Sequence, residues 1–217
     1  MKHFLAILIF FFFVAPGTAA SNDQQTTTIM VFGDSLSANY GIPTEAGWVH
    51  LLEQRLQTLS PVFQVVNASI SGETTLGGRN RIQQAIEQHH PDIVILGLGA
   101  NDGLRGTAIK TIYENLETII NICQQNNISV LLAGMQLPPN YGMTYTQKFQ
   151  SIYSQLAQRH QTALVPFLLA GFGEKQEFFQ TDGIHPTVLA QEKIAENVWV
   201  VLHTMIRNNI ATIRSES

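Results

Sequence analysis

The chain has 217 residues, 45% of them hydrophobic and 13% charged, with 12 Lys and Arg against 16 Asp and Glu. That length and composition suit one globular domain with a sizeable core. The acidic balance and the lack of a basic run leave no electrostatic support for nucleic-acid binding, and a single cysteine, Cys123, excludes an intrachain disulfide.

The first twenty residues read as a secretory signal peptide. Lys2 and His3 precede an apolar run from Phe4 to Val14, and Pro16, Gly17 and Thr18-Ala19-Ala20 supply small residues for cleavage near Ala20. The run falls short of the ~20 residues of a spanning helix, which favours a leader over an uncleaved anchor. No cysteine lies near the cleavage point to carry a lipid. Removing Lys2 with the leader leaves 11 basic and 16 acidic residues, a balance of −5. An exported chain without disulfides suits a bacterial periplasm or the medium. The expected organisation is a leader over 1–20, one domain over 27–207 and a tail over 208–217. It is expected to act as a monomer, without a stable membrane anchor.

Strand-like and helix-like patterns then alternate. Thr28–Phe32 is an apolar, β-prone run, followed by Gly33-Asp34-Ser35 and a turn leading into a helix. Trp48, Leu51, Leu52, Leu56 and Leu59 have helical spacing, and Phe63–Asn67 reads as a short strand. Ile82 and Ile86 mark a helix that ends at His89-His90-Pro91. Asp92–Leu98 is a continuous apolar run, the pattern of a strand covered on both faces. A helix over about Ile109–Gln125 carries Cys123 among Ile119, Ile120 and Ile122, as a buried structural thiol would be. A strand at Ile128–Ala133, a turn-rich loop at 137–142, a helix at Tyr145–His160 and a short strand at Ala163–Val165 follow. The last helix runs from about Pro186 to Ile206. Five strands alternating with about five helices imply an α/β fold. The size fits a flavodoxin-like three-layer α/β/α sandwich with a five-stranded parallel sheet.

In such a sheet the ligand site lies outside the carboxyl ends of the strands. Ser35 sits there, after the first strand. A serine hydroxyl is a weak nucleophile until a base takes its proton, and Gly-Asp-Ser alone is equally good turn or N-cap chemistry. Asp182 and His185, in Thr181-Asp182-Gly183-Ile184-His185-Pro186, supply a base and its partner. Residues so close in sequence span only about 10 Å at full extension, so the carboxylate can reach the imidazole Nδ1. Pro186 biases His185 away from helical geometry and suits the first position of the following helix. On its own this segment would read as a helix-start turn with a surface histidine.

The other histidines have no such partner in a loop, and no His or Cys cluster has metal-ligand spacing, so neither a metal nor a cofactor is expected. Two further loops could stabilise an oxyanion. Gly72 can bring a backbone N–H close to a ligand, and Asn101 offers a side-chain amide. Both loops also make ordinary Gly/Asn turns. The Gly-x-Gly at 97–99 lacks the third glycine of a dinucleotide site.

Together, Gly33-Asp34-Ser35-Leu36, Gly72, Gly99-Ala100-Asn101-Asp102 and Asp182-Gly183-Ile184-His185 resemble the four blocks of the SGNH (GDSL) hydrolases. The strings around Val66–Gly72, Asn101–Gly106 and Leu137–Gly142 resemble one branch most closely. That branch is the bacterial periplasmic multifunctional acyl-CoA thioesterase I / protease I / lysophospholipase group, also called arylesterases. The resemblance covers about Thr28 to Met205. It implies Ser35 as nucleophile, His185 as base, Asp182 as its orienting partner, and Ser35 N–H, Gly72 N–H and the Asn101 side chain as oxyanion donors. Asn39 stands where the group usually has Gly, and Gly97 where some relatives have Glu.

The implied activity is hydrolysis of esters, acyl thioesters and lysophospholipids through an acyl-enzyme. The acyl chain would lie along Leu104, Ile109, Leu137, Tyr141 and Met143, unless these residues merely pack their loops. Two other readings use the same sheet edge: a carbohydrate O-acetylesterase, and a non-catalytic module that binds a lipid or phosphate. A binding module has no use for Asp182 and His185 held together.

Overall fold

The computed structural model describes residues 26–59 and 63–216, with side chains described as far as Arg207. The expected leader over 1–20 lies outside the described residues. The five strands are β1 (Thr27–Gly33), β2 (Phe63–Asn67), β3 (Ile93–Gly97), β4 (Ser129–Ala133) and β5 (Ala163–Val165). They form one parallel sheet in the order β2-β1-β3-β4-β5. Six α-helices accompany them: α1 (Trp48–Leu59), α2 (Thr75–His89), α3 (Ala100–Leu104), α4 (Ile109–Gln125), α5 (Met143–His160) and α6 (Val188–Glu216).

Strand order dictates the layers. The chain steps from β1 outward to β2, then crosses back past β1 to β3 and continues to β4 and β5. Right-handed crossovers that reverse direction must change face. Accordingly α1 packs with α6, while α2, α4 and α5 pack side by side. The α/β/α sandwich is therefore the architecture the alternating pattern implies. The central strands are buried on both sides: Ile29 to Phe32 are at most 1% exposed and Ile93 to Leu96 at most 2%, which is why both read as unbroken apolar runs.

The reversal leaves a crevice between the carboxyl ends of β1 and β3, the usual ligand position in this kind of sheet. Gly33 pairs in register with Gly97 at that edge, so the residues after β1 and after β3 emerge side by side. Ser35 and Asn101 are such residues.

Three local features differ from the sequence pattern. The turn after Ser35 does not lead straight into a helix: turns and a 3-10 segment at Thr44–Ala46 intervene before α1. The segment read as a loop at Gly97–Gly103 contains the short helix α3, entered through Gly99 at φ +115°. The last helix runs past Ile206 to Glu216. Nothing after Ile206 is a Gly or Pro that would stop it. Asn39 sits at φ +58°, in the left-handed region that glycine favours and asparagine tolerates better than other side chains. That accounts for an Asn where the resembling group usually has Gly.

Candidate active site

The turn after β1 brings Ser35 to the sheet edge, 9% exposed. Its Oγ lies 3.0 Å from His185 Nε2, and His185 Nδ1 lies 2.7 Å from Asp182 Oδ2. An ionised carboxylate can only accept, so Nδ1 carries the proton. Nε2 then presents its lone pair to the serine hydroxyl, which donates.

The Asp182–His185 segment is a tight turn that organises itself. Asp182 Oδ1 accepts the N–H of Ile184 (2.9 Å) and of His185 (3.0 Å) while Oδ2 takes the imidazole. These bonds, the His185 backbone N–H foremost and then its ring, hold the Asp182 carboxyl down at about 2, against an ordinary 3.8. Gln180 N–H donates to the His185 carbonyl and Thr187 N–H to that of Phe178, closing a small hairpin ahead of α6. Tyr40 packs its ring 4.2 Å from the His185 ring. Gln180 Nε2 donates to the Tyr40 and Pro186 carbonyls, tying the histidine turn to the serine turn.

The opposite wall is buried. Asp34, beside Ser35 and 2% exposed, accepts the Leu36 N–H through Oδ1 (3.0 Å) and the Asn101 amide through Oδ2 (3.3 Å). Burial pushes its carboxyl up to about 6, although the Leu36 N–H and nearby His185 pull the other way. Asn101 Nδ2 also donates to the Glu73 carbonyl at 3.0 Å, so the amide nitrogen faces both the Ser35 turn and the loop that carries Gly72. Next in sequence, Asp102 accepts the N–H and the hydroxyl of Thr75, each at 2.8 Å. Asn115 donates to the Thr75 hydroxyl, and Arg79 to Asn115. This chain of bonds pins α2 and α4 to α3 and thereby fixes Asn101. Gly72 sits at φ +79°, with open space where a Cβ would be. Arg105 Nη2 donates to its carbonyl.

The structure thus brings Ser35, His185 and Asp182 into one hydrogen-bonded series and places Asn101 against the same turn. The expected acyl-chain residues divide. Ile109 and Leu137 pack against the core, and a side chain at Gly103 would strike Leu137. Leu104 and Tyr141 are half-buried and joined, the Tyr141 hydroxyl donating to the Leu104 carbonyl at 3.1 Å. Met143 is 72% exposed at the start of α5. Three clefts, of about 530, 450 and 340 Å³, lie away from Ser35: at the amino edge of β4 and β5, between α1 and α6, and beside α5. Cys123 is fully buried and its thiol is pushed up to about 12 by that burial, as befits a structural residue.

Sequence reasoning missed Asp34, Tyr40, Gln180 and the Thr75–Asp102–Asn115 cluster. Asp34 and Asp102 did carry a signal, since each adjoins a residue already singled out. Gln180 and Asn115 carried none, because the Gln180–Tyr40 and Asn115–Thr75 contacts join residues 140 and 40 positions apart.

Comparisons with known proteins identify the family and the fold. Residues 31–193 match the GDSL-like lipase/acylhydrolase family. The chain is 44% identical over 178 residues to the esterase TesA of Pseudomonas aeruginosa, covering 82% of this chain and 89% of that protein. It is 39% identical over 168 residues to thioesterase 1/protease 1/lysophospholipase L1 of Escherichia coli, covering 77% and 79%. A crystal structure of TesA superposes with a TM-score of 0.79 at 45% identity, over 81% of this chain and 98% of that one. The fold, the matched blocks and the relatives lead to one conclusion: the chain is a hydrolase that belongs to the GDSL-like lipase/acylhydrolase family.

Proposed function

We propose that this chain is an exported serine esterase acting on carboxylic esters, acyl thioesters and lysophospholipids. The observation that carries the reading is the hydrogen-bonded series from Ser35 Oγ through His185 to Asp182. His185 Nε2 takes the Ser35 proton as Oγ attacks the acyl carbonyl, and Asp182 stabilises the imidazolium that forms. The oxyanion is held by the N–H groups of Ser35 and Gly72 and by the Asn101 amide, which exchanges its long 3.3 Å bond to Asp34 for the new acceptor. His185 then gives its proton to the leaving alcohol or thiol. Water, deprotonated by the same imidazole, resolves the acyl-enzyme and restores Ser35.

Leu104, Tyr141 and Met143 are the acyl-chain contacts that the packing leaves available, whereas Ile109 and Leu137 serve the core. The substrate classes follow the names of the relatives, an esterase and a thioesterase/lysophospholipase. Export rests on the leader-like residues 1–20, and the catalytic domain on 27–207. No helix among the described residues is long and apolar enough to cross a membrane. Replacing Ser35 with Ala should lower p-nitrophenyl octanoate turnover by at least about 10⁴-fold with the melting temperature unchanged. Near-wild-type turnover by the folded variant would refute the mechanism.

A further inference from the structure

Both nitrogens of His185 are committed, Nδ1 to Asp182 and Nε2 to Ser35. Only the faces of the imidazole remain, and Tyr40 covers one of them. The ring centroids lie 4.2 Å apart with 34° between the planes, closer to stacked than to edge-on. Tyr40 is 51% exposed and lies outside the hydrophobic core, so core packing does not account for an aromatic ring there. The backbone aims it instead. Asn39 at φ +58° and Gly41 at φ +72° flank it. Its N–H donates to the Ser35 carbonyl at 3.4 Å, and its own carbonyl accepts Gln180 Nε2 at 2.8 Å. Tyr40 is thus bonded to the serine turn on one side and to the histidine turn on the other.

The pair it covers is otherwise open, with the His185 and Asp182 side chains 19% and 39% exposed. One bond at Nδ1 leaves the imidazole free to pivot once Ser35 Oγ has moved to the acyl carbon, and a ring packed on its face removes that freedom. Charge matters as well. His185 is neutral before attack and an imidazolium as the tetrahedral species forms. The face of an aromatic ring attracts a cation, so the contact strengthens as the charge develops. That is the condition for an interaction to raise the rate. Two carboxylates also act on the imidazole, Asp182 from its own turn and Asp34 from the serine turn.

We propose that Tyr40 is a positioning residue for the general base: its ring face keeps the His185 imidazole in line between Asp182 and Ser35 and stabilises the imidazolium. The proposal rests on the esterase reading for the reaction that His185 serves.

The test compares Tyr40→Leu with Tyr40→Phe in the full chain, with Asp182 and Asp34 unaltered in both. Leu keeps much of the bulk but has no π-face. It should lower kcat and kcat/KM together, by about two- to fivefold, for p-nitrophenyl acetate and octanoate alike, with KM and the melting temperature unchanged. The acid limb of its kcat/KM profile should move to lower pH by about half a unit. Phe keeps the ring and loses only the hydroxyl, so it should restore both the turnover and the profile that Leu loses. Four results would overturn the proposal alone. They are a Leu variant with wild-type turnover and an unmoved acid limb, and a Phe variant as slow as Leu, which would assign the effect to the hydroxyl. The others are a raised KM confined to octanoate, which would make Tyr40 an acyl-chain contact, and a loss of rate that tracks a lower melting temperature. A folded wild-type chain without ester turnover would overturn the esterase reading itself, and the proposal with it.

Discussion

The two walls of the site are built on different principles. The Asp182–His185 wall is local and exposed: three bonds from one carboxylate to residues two and three positions away make the turn. The Asp34–Asn101–Asp102 wall is buried and assembled from a distance, through pairs 67, 27 and 40 positions apart. One wall gets its geometry from chain connectivity, the other from packing. Mutations should therefore separate them. Damage to the first should cost rate with little stability, and damage to the second should cost both.

The sharpest attempt to break this contrast is His185→Ala. Turnover should fall by about 10⁴-fold or more while chemical denaturation is nearly unchanged. A large loss of stability would mean that the exposed turn is not self-contained. Asp102→Ala comes next. It strips two acceptor contacts from the buried Thr75, so stability should drop by about 2–4 kcal/mol, and kcat should fall because Asn101 loses its support. Equilibrium unfolding and kcat measured on the same variant check both.

The two walls should also respond oppositely to pH. Asp182 is held low, so its contribution to stability is complete above its ordinary 3.8 and is lost as pH falls through about 2. Asp34 is held high, so its contribution is complete below 3.8 and is lost as pH rises through about 6. In Asp34→Asn the second effect disappears. Wild type should lose stability relative to this variant between about pH 4 and pH 6 and hold level above that. The variant's kcat should still fall, by roughly tenfold, because a side-chain amide there can turn a donor toward Asn101. A flat stability difference across that range would remove the buried carboxyl from the account. The smallest effect is expected for Gly72→Ala. No atom lies where its Cβ would go, and the cost is backbone strain at φ +79°, about 1 kcal/mol. Stopped-flow rates of acyl-enzyme formation should show a modest loss.

The same contrast explains what could be read from the sequence. The sheet was legible because Ile29–Phe32 and Ile93–Leu96 are buried on both faces and read as plain apolar runs. Asp182 and His185 were legible because a three-residue spacing is enough to define their contact. Asp34 was in view as part of Gly-Asp-Ser, yet its role depends on Asn101, which only the β1–β3 register brings alongside. Thr75 and Asn115 resembled ordinary helix residues until α2 and α4 packed together. Helix α3 was hidden because a five-residue helix entered through Gly99 has the composition of a loop.

The central claim is that His185 activates Ser35. A fluorophosphonate probe, followed by peptide mass spectrometry, tests it most directly. The account predicts one adduct, on the Ser35 peptide, formed far more slowly in His185→Ala and absent in Ser35→Ala. An adduct on another residue, or labelling of Ser35 at the wild-type rate without His185, would contradict it.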